Sequence, residues 1–181
     1  MIQKFFIQSS IFLAVMLADG RPPGADAMAK EVRHELVMLP YYGVFDNLAY
    51  RVDGARVMLF GQVTHPSLKS DAENAVRRIE GVASVDNHIE VLPVSRNDDR
   101  IRMATYQAIY SRGSLQRYRL NAVLPIHIIV KDGNITLEGM VASESEKNLA
   151  GISANGVNGA FSLKNNLEAE KVQRDSTPEK F

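Results

Sequence analysis

The chemistry that this sequence offers most clearly is the binding of anionic groups, by arginines and tyrosines in its second half. Residues 100–130 contain five arginines and no aspartate or glutamate, a net charge of +5, although the whole chain of 181 residues has a net charge of zero. Guanidinium groups pair with phosphate, and tyrosine is favoured where a bilayer meets water. The residues predicted to contact an anionic surface are Arg100, Arg102, Tyr106, Tyr110, Arg112, Arg117, Tyr118 and Arg119.

The same residues also allow a purely structural interpretation. Arg102, Tyr106 and Ile109 have helical spacing, so Tyr106 and Ile109 could be core residues while the arginines form an ordinary solvated face. A second aromatic cluster, at residues 41–45, is predicted to pack between helices or to form an interface between the two halves of the chain. Both alternatives stay open at this point.

Residue types and spacings that would support catalysis or metal binding are missing from the sequence. The chain has no cysteine, which excludes thiol catalysis, disulfides and cysteine-bound zinc. Its four histidines are His34, His65, His88 and His127, and none occurs at a metal-binding spacing. There is no nucleophile elbow, phosphate loop or dinucleotide fingerprint. The prediction is a protein that is not an enzyme and that has no cofactor and no metal.

An internal repeat defines the architecture that must position these residues. Residues 57–91 align without a gap to residues 135–169, at a fixed offset of 78. The ten identical positions are Leu59, Gly61, Val63, Ser67, Lys69, Ala72, Gly81, Ser84, Asn87 and Glu90 with their partners 78 residues later. The chain is therefore predicted to be two copies of one domain, each so small that packing against its neighbour would help to stabilise it.

Hydrophobic periodicity predicts five elements in the first copy. A helix over 29–39 precedes two strands that meet at a tight turn, Asp53-Gly54. An amphipathic helix over 68–79, with Ser67 as its N-cap, leads to a third strand over 85–91. The order helix, strand, strand, helix, strand predicts a three-stranded mixed sheet with two helices on one face.

The second copy repeats this order. Its first helix is predicted over 98–111, and its two strands meet at Asp132-Gly133. Gly151 and Gly156 interrupt the second helix, over 146–157, and predict that it is short or mobile. The predicted fold class is therefore α+β, with two tandem αββαβ sandwiches.

Six repeated residues are predicted to have structural roles. They are Gly61, Gly81, Asn87, Gly139, Gly159 and Asn165. The mid-strand glycines, Gly61 and Gly139, are typical of a bulge or of a close backbone approach, here beneath a packed helix. Gly81 and Gly159 are predicted to be left-handed helix caps, and both asparagines to hydrogen-bond locally at the third strand.

The N-terminus is typical of a secretory signal. Lys4 precedes a mostly apolar run over 5–18, and Ala25-Asp26-Ala27 offers a cleavage site. An uncleaved membrane anchor is the alternative, although the run is shorter than the roughly 20 residues of a comfortable span. The predicted organisation is a signal peptide over 1–27, a first domain over 28–93, a linker over 94–97, a second domain over 98–171 and a disordered tail over 172–181.

The repeated pattern resembles the BON domain. In the first copy it reads Val-x-Leu-x-Gly-x-Val over 57–63, an amphipathic helix, and Gly-Val-x-x-Val-x-Asn-x-Ile-x-Val over 81–91. The second copy has its counterparts over 135–141 and 159–167, so the resemblance covers residues 28–171. It implies a bacterial periplasmic or envelope protein, because family members include osmotic-stress-induced and outer-membrane maintenance proteins. It also implies a phospholipid- or envelope-binding module without known catalytic activity.

These observations together predict an exported protein whose second copy binds anionic phospholipid through its first helix and the 112–119 loop, in support of envelope integrity or stress tolerance. One alternative is a protein-interaction module that docks onto an envelope protein through Tyr41, Tyr42 and Tyr110. Another is a periplasmic chaperone-like stress protein. The predicted partner is an anionic membrane surface or an envelope protein, and not nucleic acid, because export argues against it.

Overall fold

The structure, a computed structural model, describes residues 25–170 of the chain. The predicted tail over 172–181 and the predicted signal peptide as far as residue 24 lie outside the described residues. The predicted cleavage site at Ala27 falls in the first turn of the first helix.

The first domain consists of two helices and a sheet whose central strand pairs on both sides. Its elements are α1 (Ala25–Val37), β1 (Asn47–Asp53), β2 (Arg56–Val63), α2 (Pro66–Arg77), β3 (Ser84–Asn87) and β4 (Glu90–Val91). β2 is antiparallel to β1 and parallel to β3 and β4. β3 and β4 are the two parts of the predicted third strand, which is broken at residues 88–89.

The second domain repeats this arrangement, with one addition. Its elements are α3 (Arg96–Tyr110), a 3₁₀ helix (Gly113–Leu120), β5 (Ile126–Lys131), β6 (Asn134–Val141), α4 (Glu144–Asn155), β7 (Ser162–Asn165) and β8 (Glu168–Ala169). β6 pairs with β5, β7 and β8 as β2 pairs with its neighbours. The predicted α+β class with two tandem αββαβ units is confirmed. The 3₁₀ helix lies where the sequence predicted a loop.

Two serine N-caps and one proline explain where three of the helices begin. Ser95 accepts a hydrogen bond from the Asp98 amide at 3.2 Å and caps α3, and Ser143 caps α4 through the Glu146 amide at 3.3 Å. The prediction that Ser67 caps α2 is wrong, because this helix begins at Pro66. Proline has the backbone angle of a first helical residue and lacks the N–H that a cap would satisfy.

Contrary to the prediction from its glycines, helix α4 is not short, and it begins two residues earlier than the predicted 146–157. It has 12 residues, as many as α2, even though it contains Gly151. A Cβ atom at Gly151 would lie 2.8 Å from the side-chain nitrogen of Asn165. The glycine therefore permits the third strand to approach the helix and does not shorten it.

Each domain has its own core, on the side of the sheet that its two helices cover. In the first domain Val32 and Leu36 of α1 meet Leu68 and Val76 of α2 over the buried Leu59 of β2. The second core includes Ile101, Ile109, Leu115, Ile126, Ile128, Ile135, Leu137, Ala150 and Leu167. The alternation of buried and exposed side chains along β2 and β6 follows the two-residue period of a strand.

The two domains contact each other through the segment that joins α1 to β1. The Ile128 amide in β5 donates a hydrogen bond of 2.7 Å to the Val44 carbonyl. Val44 and Phe45 pack against the core of the second domain, and Lys131 forms an ion pair with Glu90 at 2.5 Å. Of the two roles predicted for the 41–45 cluster, the interface between the copies is therefore the one that the structure shows for Val44 and Phe45.

Candidate functional site

The two repeated mid-strand glycines allow adjacent strands to approach closely. Gly61 and Gly139 have φ angles of +112° and +119°. A Cβ atom would lie 2.0 Å from the Asn47 carbonyl oxygen at Gly61, and 2.0 Å from the Pro125 carbonyl oxygen at Gly139. The close approach comes from the neighbouring strand and not, as the sequence suggested, from a helix above.

The repeated asparagines fasten the third strand to the second helix. Asn87 donates to the Lys69 carbonyl at 2.8 Å, and its side-chain oxygen accepts from the Ile89 amide at 3.1 Å. Asn165 donates to the Lys147 carbonyl at 2.9 Å in the same way. Their hydrogen bonds extend beyond the local contacts that the sequence predicted, and they explain why the third strand breaks at this point.

Arg100 lies at the start of α3, beside the second repeated glycine of its domain. It donates to the Asn158 carbonyl at 3.2 Å and to the side chain of Asn97 at 3.0 Å. Gly159, like Gly81, has a positive φ angle, but both glycines follow their helix ends at Asn155 and Arg77 by several residues. They are left-handed residues of the following loops and not the caps themselves.

The free edge of β5 is covered by two of the predicted binding residues. The Tyr110 hydroxyl donates to the Ile126 carbonyl at 2.8 Å, and the Arg102 guanidinium donates to the Val130 carbonyl at 2.7 Å. Tyr110 is 1% exposed and Arg102 is 4% exposed, and burial raises the pKa of Tyr110. Because an uncovered edge strand is open to pairing with other chains, these bonds protect the sheet.

Tyr106 lies next to this covered edge and is half-buried. Its ring packs against Tyr110, with 4.9 Å between centroids, and meets Phe45 of the first domain edge-on at 6.4 Å. Buried Ile109 is part of the second core. The core interpretation of α3 therefore describes Tyr106 and Ile109, whereas Arg102 is not on a solvated face.

Tyr118 and Arg117 share a buried carboxylate. The Tyr118 hydroxyl donates to Glu146 at 2.6 Å, and Arg117 forms an ion pair with Glu146 at 2.8 Å. Burial alone would raise the pKa of Glu146, but the Tyr118 hydrogen bond, together with Ser114 and the Arg117 charge, holds that pKa below its usual value. Glu146 therefore stays ionised and anchors the 3₁₀ helix to α4.

Two buried aspartates perform structural tasks that sequence reasoning missed. The Asp98 carboxylate accepts from the amides of Asp132 and Gly133, at 3.0 and 2.9 Å, and so holds the β5–β6 turn. Asp46 accepts from the amide and the hydroxyl of Thr64, at 2.7 and 2.8 Å. Neither role has a signal in the local sequence, because Thr64 and the β5–β6 turn lie 18 to 35 residues away from these carboxylates along the chain.

Three exposed arginines of the second domain lie in residues 111–123, here called the arginine loop. Arg112, Arg117 and Arg119 are exposed in it, and Leu120 and Val123 are 90% and 45% exposed. Within residues 25–170, the ion pairs include Arg117 but neither Arg112 nor Arg119. The α3–β5 connection, residues 111–125, is six residues longer than its counterpart over 38–46. This extra length was the feature of the sequence that could have pointed to the arginine loop as a surface peculiar to the second domain.

The structure does not bring the eight predicted binding residues together on one exposed face. Three arginines of the arginine loop remain at the surface, while Arg102, Tyr110 and Tyr118 are buried. Arg100 and Tyr110 are ten residues apart on α3, about 15 Å at the rise of an α-helix.

A groove of about 550 Å³ separates the first domain from the open face of the second sheet. Arg33 and Val37 of α1 line one wall, and Glu138, Met140 and Asn166 line the other. At its base His127, 9% exposed, stacks on Tyr42 with 5.5 Å between ring centroids. Burial lowers the pKa of His127 and raises the pKa of Tyr42 to about 12.

Two features are missing from the described part of the chain, a cluster of metal ligands and a membrane-spanning helix. Over residues 25–170, no three potential metal ligands come together. Within the same range, none of the helices combines the length and the apolar character needed to cross a membrane.

Comparison with known proteins matches both halves of the chain to one family. The model of the BON domain matches residues 26–93 and 97–171. No curated protein matches the chain. A structure of CdsD, a structural protein of the type III secretion system of Chlamydia trachomatis, is 11% identical over 80% of this chain and 92% of its own, with a TM-score of 0.30. Its C-terminal domain alone is 12% identical over 78% of this chain and 96% of its own, with a TM-score of 0.27. At such TM-scores neither structure defines the fold or the function of this chain.

Proposed function

Since the chain belongs to the BON-domain family, whose tandem domains are typical of envelope-associated, phospholipid-binding modules, we propose that it is exported to the cell envelope and binds anionic phospholipid membranes through its arginine loop. The binding involves no catalytic step. A contribution to envelope integrity or stress tolerance is part of the same proposal.

One observation carries this proposal: exposed arginines and exposed apolar side chains occur together in the arginine loop. Arg112 directly precedes the 3₁₀ helix, Arg119 lies in its last turn, and Leu120, its last residue, is almost fully exposed. Cationic groups attract an anionic bilayer surface, and an apolar side chain among them gains free energy by entering the acyl boundary. The loop, and not helix α3, is the proposed contact, because Arg102 and Tyr110 of α3 are buried.

The base of the loop is rigid, which favours binding. Tyr118 and Arg117 are fastened to Glu146, and Tyr118 also accepts a hydrogen bond from the Ala142 amide at 3.0 Å. Leu115 is fully buried in the same 3₁₀ helix. Little conformational entropy is then lost when the loop meets a membrane.

Vesicle co-sedimentation of the chain without residues 1–24 tests the proposal. We expect binding to vesicles that contain anionic lipid, and weaker binding at high salt, because salt screens exposed charges. The double substitution Arg112→Gln and Arg119→Gln should weaken binding about 30-fold, at about 1 kcal/mol for each basic residue near an anionic surface. The matched control is Arg51→Gln with Arg78→Gln, which removes two exposed arginines of the first domain.

Two results would contradict the proposal. Binding that survives the loop substitutions would exclude the arginine loop as the contact. Failure to bind any vesicle would favour docking onto an envelope protein, for which crosslinking in envelope extracts should give one dominant adduct. Of the three tyrosines predicted as anchors for such docking, Tyr41 is 79% exposed and Tyr110 is buried.

A further inference from the structure

The groove between the two domains contains charges of both signs that have no ion-pair partner within the described part of the chain. Arg33 lies on the α1 wall, and Glu138 and Glu168 lie on the wall formed by the second sheet. None of these three side chains takes part in the ion pairs found among residues 25–170. Apolar side chains, including Val37, Leu124 and Met140, lie between and beside them.

Of the two carboxylates, Glu138 is specific to the second domain and is not required by the fold. Glu138 accepts a hydrogen bond from Asn166 at 2.6 Å. At the equivalent positions of the first domain, 78 residues earlier, Phe60 and His88 stack with 5.6 Å between their ring centroids. One architecture therefore accepts either an aromatic pair or a polar pair here, and the polar pair is the one that faces the groove.

Glu168 has a glutamate as its counterpart in the first domain and differs from it in its ion pairing. Glu90, its equivalent in the first domain, forms the inter-domain ion pair with Lys131. Glu168 is exposed, and within residues 25–170 it forms no such pair. A carboxylate without a cation, in a groove that a second carboxylate also lines, attracts a positively charged group from outside the chain.

We propose that the inter-domain groove binds a zwitterionic phosphoethanolamine head group, with the phosphate at Arg33 and the ammonium at Glu138 and Glu168. A guanidinium is the side chain best suited to phosphate, and a primary ammonium has three N–H donors for carboxylate oxygens. The groove volume of about 550 Å³ is in the usual range for a small ligand, with room for the first carbons of attached acyl chains beside Met140. As a lipid site it deepens the proposed membrane function and rests on it, whereas the head-group chemistry can be tested alone.

Short-chain lipids below their micelle concentration test the groove without a membrane. Dihexanoyl phosphatidylethanolamine is expected to shift the NMR signals of the Gly139 amide and of the Asn166 side chain, both of which line the groove. Dihexanoyl phosphatidylcholine, whose ammonium has no N–H, and dihexanoyl phosphatidylglycerol, which has no ammonium, should each bind about tenfold more weakly. Equal affinity for the three lipids, or shifts confined to other residues, would overturn the proposal.

Substitutions test the ammonium contact and the phosphate contact of the head group separately. Glu138→Gln with Glu168→Gln should weaken phosphatidylethanolamine binding about tenfold and leave phosphatidylglycerol binding no weaker. Arg33→Gln should weaken the binding of phosphatidylethanolamine and of phosphatidylglycerol, because both lipids carry the phosphate. Glu80→Gln and Arg78→Gln, at exposed positions outside the groove, are the controls and should change neither affinity. If the control variants weaken lipid binding as much as the groove variants do, the assignment of the head group to the groove is wrong.

Free O-phosphoethanolamine distinguishes the two sources of this head group. If it binds the groove as tightly as the lipid does, the natural ligand is a head group detached from its chains; if only the lipid binds, the source is a membrane. Both results support recognition of phosphoethanolamine. Because Arg112 and Arg119 lie outside the groove, loss of anionic vesicle binding in their variants leaves this experiment unaffected, so the two proposals can fail separately.

Discussion

The hydroxyl of Tyr110 donates a hydrogen bond of 2.8 Å to the carbonyl of Ile126, at the free edge of β5. The Arg102 guanidinium does the same for the Val130 carbonyl, and the inter-domain bond from the Ile128 amide lies between them. Two side chains whose types suggest phosphate and membrane contact thus complete a sheet edge. The free edge of β5 is therefore occupied from within the chain, which prevents pairing with another strand.

We expect Tyr110→Phe to lower the free energy of unfolding by about 1–3 kcal/mol, because it leaves the buried Ile126 carbonyl without a donor. Urea denaturation measures the loss. The affinity for anionic vesicles should not change, since Tyr110 is 1% exposed. Tyr41→Phe, at a residue that is 79% exposed, is the control and should alter neither property. A variant of Tyr110 that is fully stable but binds vesicles weakly would show that Tyr110 contacts lipid after all.

The local pattern of the sequence was sufficient to predict the two sheets. The period of two residues along β2 and β6, and the offset of 78 residues between the copies, depend on neighbours that are close in sequence or equivalent by repetition. The glycine requirement at Gly61 and Gly139 was visible for the same reason, although the atom that imposes it belongs to another strand.

The burial of α3 residues could not be predicted in this way. Helical spacing shows that Arg102 and Tyr106 share a face, but it does not show whether that face meets solvent or the edge of β5. The groove was even less predictable from the sequence, because Tyr42 and His127 are 85 residues apart and meet only when the two domains pack. Tertiary contacts between copies leave no periodic signal in either copy.

We expect Gly61→Ala to destabilise the first domain by at least about 2 kcal/mol, because its Cβ would overlap the Asn47 carbonyl oxygen and its φ angle is positive. Gly54→Ala is the matched control. Gly54 also has a positive φ angle, +58°, but a Cβ there would meet nothing within 4 Å. Its cost should therefore be limited to about 1–2 kcal/mol of backbone strain. Equal losses in thermal unfolding of the two variants would show that strain, and not the close approach, makes glycine necessary at Gly61.

We expect the inter-domain contact to weaken in acid through His127. Burial lowers the pKa of His127 below its ordinary value of about 6.5, and this effect outweighs the hydrogen bonds to the backbone of Asp46 and Gly43 and the nearby carboxylates of Asp46 and Glu138. As the pH falls, the unfolded chain takes up this proton before the folded chain does. The stabilising contribution is therefore complete above about pH 6.5 and is lost as the pH falls through the lower pKa of the folded state.

Urea denaturation at neutral pH and at about one to two pH units below 6.5 measures this effect. The variant His127→Phe keeps a ring against Tyr42 but cannot be protonated, so its stability should fall less over the same interval. His34→Gln, at an exposed position on α1, should behave like the unsubstituted chain. If His127→Phe loses as much stability in acid as the unsubstituted chain, other groups cause the acid sensitivity.

We expect Leu120→Ser to separate membrane binding from stability. Leu120 is 90% exposed, so its replacement should leave the free energy of unfolding unchanged, whereas Leu115→Ala in the same 3₁₀ helix removes a fully buried side chain and should cost about 2–5 kcal/mol. On anionic vesicles Leu120→Ser should bind about 10- to 150-fold more weakly, because a leucine that enters the acyl boundary contributes about 1.5–3 kcal/mol. Vesicle binding at low salt that is unchanged by Leu120→Ser would mean that the arginine loop is held by charge alone. In that case the affinity should also vanish at high salt, where a buried leucine would have preserved part of it.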